Sequence, residues 1–115
     1  MALDPTIQEL VDKAAIRDLM ARYARAVDRG DFDSIASSFT TDAYASYGRW
    51  EAQGSDDIAD KLRPGVSRTN SSTHFMGDQI FQFDGDTAEV ETYAIIYILC
   101  TVECRPSANV GHMWG

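Results

Sequence analysis

Cysteine and histidine are scarce in this chain, with two of each among 115 residues. Cys100 and Cys104 lie four apart in a strand-like run, roughly 13 Å at strand rise, which no disulfide spans, so reduced thiols are expected. With His112 they form no ligand spacing for a metal, and neither a metal nor a cofactor is expected. Basic residues are few as well. Ten Lys and Arg against eighteen Asp and Glu give a formal net charge of −8, which repels phosphate backbones and anionic lipid and argues against nucleic-acid and membrane partners. No apolar run approaches the roughly 20 residues that span a bilayer. The opening "MALDPTIQEL" has no basic segment followed by an apolar stretch, so a cytoplasmic protein is expected. Repeats, low-complexity tracts and linkers are missing, and nothing resembles a phosphate-binding glycine loop, since Gly85 belongs to a turn. An apolar content of 44% at this length makes residues 1–115 one domain, able to bury a core but too short for two.

What is present has period. From Thr6 to Arg29, Ile16, Leu19, Met20, Tyr23 and Val27 repeat at helical spacing, and Thr6 with Glu9 makes a capping box after Pro5. Gly30 breaks this helix, and Asp31 caps a short second one with Phe32, Ile35, Ala36 and Phe39 on one face. "AYASYGRW" reads as a short strand. "GSDDIADKLRPGV" reads as a third helix, with Ser55 as cap and Pro64-Gly65 as stop. Two β runs follow, Thr73 to Phe83 and Thr87 to Glu103, joined by the hairpin signal "DGD". Helices precede sheet, so the class is α+β.

On the second β run, Ala88, Val90, Thr92, Ala94, Ile96, Ile98, Cys100 and Val102 form an almost wholly apolar row. The opposite row is polar at its ends and carries Tyr93, Ile95, Tyr97 and Leu99 at its centre. Either helices cover one face and a pocket or partner subunit the other, or the strand is a core strand with a wide edge. On the first run, alternation places His74, Met76, Asp78 and Ile80 on one face. His74 is open to two readings, a satisfied structural histidine or a catalyst.

The order of these pieces resembles the SnoaL-like branch of the NTF2-like superfamily. The resemblance runs from Ile7 to Leu99 and rests on "YARAVDRGDFDSIASSFTTDAYASYG" followed by "STHFMGDQIFQFDGDTAEVETYAIIY". It implies a curved, cone-like antiparallel sheet wrapped around the long N-terminal helix, with an apolar pocket inside. Such domains normally continue through one or two further strands, whereas this chain ends "RPSANVGHMWG", so the last strands are expected to be missing. Scytalone dehydratase, the bile-acid dehydratases and ketosteroid isomerase are similar. The Asp/His pair of the dehydratases falls on Asp28 and His74, and a pocket tyrosine falls on Tyr23. Imidazole suits proton abstraction near neutral pH, and a carboxylate on its other nitrogen fixes the tautomer. Each of these residues has a plainer role open to it: Asp28 as a helix-end turn residue, Tyr23 as a core aromatic. Tyr44, Tyr47, Trp50, Met76 and Asp78 are candidate pocket residues.

The implied activity is a cofactor-independent dehydratase, a lyase acting on a hydrophobic ring compound such as a steroid or polyketide, or an isomerase of the same type. Two other readings stay open: a non-catalytic module that binds an apolar ligand or a protein, and an accessory subunit like the small β subunits of ring-hydroxylating dioxygenases. An uncovered sheet edge and a hairpin apolar on both faces imply a homodimer through the sheet.

Overall fold

The structure, a computed structural model, describes residues 2–100, of Cys100 the backbone alone. Helix α1 spans Pro5–Arg29. Its cap is Asp4, whose carboxylate accepts the Thr6 N–H at 2.9 Å, and not the expected capping box on Thr6. Pro5 occupies the first turn, where its missing N–H costs nothing, and this sets the boundary one residue earlier. At the other end Gly30 adopts φ 64 and the Asp31 N–H reaches back to the Ala26 carbonyl at 2.9 Å, closing the helix directly after Arg29. The buried stripe holds Tyr23, Ala24, Ala26 and Val27; Leu19, expected to face the sheet, is instead 42% exposed.

Helix α2, Phe32–Ser37, is capped by Asp31 as expected, its carboxylate accepting the Ser34 N–H and hydroxyl. The aromatic segment forms a hairpin of two short strands, β1 (Tyr44–Ser46) and β2 (Glu51–Gln53), where one strand was expected. Helix α3, Ser55–Ser67, departs from expectation at both ends. Gly54, not Ser55, is its N-cap, and no side chain caps it. Pro64 lies inside the helix rather than stopping it, and forfeits one ladder bond there. Ile35 of α2 and Ile58 of α3 are fully buried. Tyr23, Ala26, Val27, Ile35 and Ala59 form a core cluster, with Phe32, Phe39, Leu62, Val66 and Met76 packed on it.

Strands β3 (Thr69–Asp84) and β4 (Thr87–Cys100) pair antiparallel through the Gly85–Asp86 turn, and β3 packs on α1. This long helix with antiparallel sheet confirms the α+β class. The expected continuation of β4 to Glu103, the missing last strands, and the side chains of Cys100, Cys104 and His112 lie outside the described residues.

The alternation expected for β3 fails at its centre. Met76 pairs with Ala94 but Gln79 with Thr92, so Gly77 and Asp78 together oppose Tyr93 in a β-bulge. Inward positions are therefore Ser72, His74 and Met76 before the bulge and Gln79, Phe81 and Phe83 after it, while Ile80 faces outward and Asp78 leaves the row of His74 and Met76. A Cβ on Gly77 would stand 3.2 Å from the Tyr93 carbonyl oxygen, a backbone contact that yields little. Gly77→Ala is therefore expected to lower unfolding free energy by about 1–2 kcal/mol in urea melts. An unchanged midpoint would remove the bulge from this account.

Candidate active site

The end of α1 meets β3 through one carboxylate. Asp28 lies in the last turn, one turn beyond Ala24, and Gly30 terminates the helix two residues later. Asp28 Oδ1 accepts from the Ser72 hydroxyl at 2.8 Å and from His74 Nδ1 at 2.6 Å; its Oδ2 accepts the His74 backbone N–H at 3.1 Å. The last bond satisfies a donor that β4 does not take. Ser72 shares His74's face because it stands two residues away on the strand.

Burial by itself raises the Asp28 carboxyl, but the His74 ring, the His74 N–H, the Ser72 hydroxyl and the nearby imidazole together outweigh it and hold the group below the usual aspartate range. Asp28 is therefore a carboxylate at neutral pH. With Nδ1 engaged as donor, the neutral ring carries its proton there and leaves Nε2 as the free basic nitrogen.

The pair borders a cleft of about 380 Å³ lined by Ala21, Ala24, Arg25, Asp28, Arg29, His74, Phe75 and Met76. A second cleft of about 490 Å³ adjoins it across Ala21 and Met76 and is lined also by Arg17, Met20, Gly77, Asp78 and Gln79. Met76 lines both and Asp78 only the second.

Tyr23 and Tyr47 share a short hydroxyl–hydroxyl bond of 2.6 Å. Tyr23 also meets Phe39 edge to face, and Tyr47 stacks on Trp50 at 4.3 Å. Burial, with Tyr47 beside it, pushes the Tyr23 phenol far above the ordinary tyrosine range; burial raises Tyr47 too. Both stay neutral and act as hydrogen-bonding groups, not bases. Among the described residues Tyr23, Tyr44, Tyr47 and Trp50 line neither cleft. The Tyr23–Tyr47 bond ties the β1–β2 hairpin to α1, Trp50 stacks on Tyr47, and Tyr44 lies 59% exposed. The sequence-based set thus separates into a joined Asp28–His74 pair, the clefts' Met76 and Asp78, and a tyrosine pair behind them. Ser72, Arg25 and Arg29 were not anticipated. Strand alternation from His74 could have found Ser72, and helical spacing from Asp28 could have found Arg25.

Comparison with known proteins gives consistent results. The SnoaL-like domain family matches residues 8–112. An uncharacterised protein of Mycobacterium tuberculosis (strain ATCC 25618 / H37Rv) is 30% identical over 87 residues, which are 72% of this chain and 58% of that protein. The chain therefore spans under two thirds of that relative. Among solved structures, a scytalone dehydratase candidate from Novosphingobium aromaticivorans DSM 12444 superposes with a TM-score of 0.79 at 26% identity, over 88% of this chain and 68% of the other. An NTF2-like protein with a cystatin-like fold from Novosphingobium aromaticivorans gives 0.70 at 25% identity, over 84% and 65%.

The Asp28 shift has a sign. A carboxyl held low in the folded state stabilises fully above its unfolded value, about pH 4, and loses that contribution as pH falls through the folded value. In urea melts wild type should exceed Asp28→Asn at neutral pH, and the difference should close as pH falls from 4 towards 2. A difference that held down to pH 2 would contradict the assignment.

Proposed function

We propose that this chain, which belongs to the SnoaL-like domain family, is a cofactor-independent lyase, a dehydratase that removes a proton from carbon in a hydrophobic ring substrate. The supporting observation is the 2.6 Å contact between Asp28 and His74 Nδ1 at the wall of a cleft. His74 Nε2 takes the proton, and the C–H electron pair forms the new double bond. The β-hydroxyl leaves with its bonding electrons and collects the same proton from the imidazolium as water. Asp28 stays ionised and stabilises the imidazolium while it exists. Returning the proton to another ring carbon instead gives an isomerase with the same residues. The Tyr23–Tyr47 pair supports the α1 wall of the site from behind.

The reading is tested by turnover of a panel of cyclic β-hydroxy ketones followed as loss of water. His74→Ala should abolish turnover in a protein that still folds, at a cost of about 1.5–3 kcal/mol for the bond it no longer gives Asp28. Asp28→Asn should reduce it by about 10³–10⁴-fold by favouring the wrong tautomer. If both variants bind the ketones and lose no activity, or if both only unfold, the histidine is structural and the cleft a binding site without chemistry.

We also propose that two copies pair through the outer face of β3–β4. Phe75, Tyr93, Ile95, Tyr97 and Leu99 are each more than half exposed there, and Phe75 stands opposite Ile95, giving a contiguous apolar face that a lone domain would leave in water. Light scattering should give twice the 12.7 kDa chain mass, and Ile95→Glu should halve it. A single-chain mass throughout the micromolar range would refute this.

A further inference from the structure

We infer that the substrate of the Asp28–His74 cleft carries an acidic group, an oxyanion bound by the guanidinium groups of Arg25 and Arg29. The inference rests on the cleft being a ligand site and names the chemistry of what enters it. Both arginines line the same cleft as the dyad and stand one helical turn apart on α1, about 6 Å along its axis. Both are exposed.

Their charge is not spent elsewhere among the described residues. Lys13, Arg22 and Lys61 each pair with a carboxylate four residues before them, on Glu9, Asp18 and Asp57, and Arg63 lies over the Phe32 ring at 4.1 Å. Among the described residues Arg25 and Arg29 have no carboxylate within ion-pair distance, although both attract the Asp31 carboxylate from further off. Asp28, between them in sequence, commits both its oxygens to Ser72 and His74.

With Asp28 ionised, two guanidinium charges against one carboxylate leave the cleft net positive, in a chain of charge −8. Arg29 also complements the C-terminal end of the helix dipole, but that role does not call for a second arginine on the cleft wall. The cleft otherwise offers apolar contact from Ala21, Ala24 and Met76. An apolar ring with one oxyanion matches both halves, and guanidinium forks bind such oxygens in pairs. Holding the acid on Arg25 and Arg29 would fix which ring carbon meets Nε2.

The test is binding, so that it does not depend on turnover. 1-Naphthoate, its neutral isostere 1-naphthamide and 1-naphthyl phosphate are titrated by calorimetry at low salt into wild type and the Arg25→Gln/Arg29→Gln double variant. Wild type should bind an anion at least tenfold tighter than the amide. The gap should shrink in 0.5 M NaCl and vanish in the variant, whose melting temperature should match wild type because both residues are exposed. Preference for naphthoate assigns the group to a carboxylate, and preference for naphthyl phosphate to a phosphate monoester. Equal binding of amide and anions, a gap that survives in the variant, or no binding of either anion at millimolar concentration would overturn the inference. Arginine-dependent anion binding without turnover of any substrate would leave this inference standing and remove the dehydratase reading. Turnover of neutral ketones with no anion preference would do the reverse.

Discussion

One carboxylate joins the two halves of this fold. Asp28 accepts three hydrogen bonds from Ser72 and His74, residues 44 and 46 positions away, and so fastens the last turn of α1 to the edge of β3. Hydrogen bonds to a charged group contribute about 1.5–3 kcal/mol each when partly shielded. The same three donors that make the bond a structural tie keep the group ionised. Structure and chemistry therefore make the same demand on Asp28, and the Gly30 cap serves both by ending the helix where the strand begins to pass.

Much of this was legible before any coordinates. Helical spacing in α1 and the "DGD" turn report local physics, and both elements formed where expected. The dyad came from a resemblance between whole layouts, since neither Asp28 nor His74 is distinctive alone. The failures are tertiary. Leu19 fits the helical period, yet α1 buries only the stripe that its neighbours reach. Asp78 fits the strand period, yet the bulge at Gly77 takes it off the row of His74 and Met76 and leaves it on the second cleft alone. A glycine inside a strand is itself a bulge signal, and it was there to be read. The Tyr23–Tyr47 bond links residues 24 apart through a hairpin that no periodicity announces.

The bulge also explains why the site is where it is. Before Gly77 the inward row supplies His74 and Met76 to the cleft and Ser72 to Asp28; beyond it Gln79, Phe81 and Phe83 turn inward, and Lys13 and Arg17 of α1 lie over the Phe81 ring at 5.6 and 5.5 Å. One strand thus provides a polar, reactive half and an apolar, structural half without changing partners. The reactive half adjoins Arg25 and Arg29, while Lys13, Arg22 and Lys61 are paired along exposed helix faces.

The central claim is that Asp28 fixes the His74 ring with Nδ1 protonated and Nε2 bare towards the cleft. Long-range ¹H–¹⁵N NMR of the imidazole in the neutral form measures this directly. The account predicts a protonated, pyrrole-type Nδ1 and an unprotonated, pyridine-type Nε2 in wild type, with that preference lost in Asp28→Asn. A neutral ring protonated at Nε2 in wild type would contradict it, because the nitrogen facing the cleft would then have no lone pair with which to take a proton.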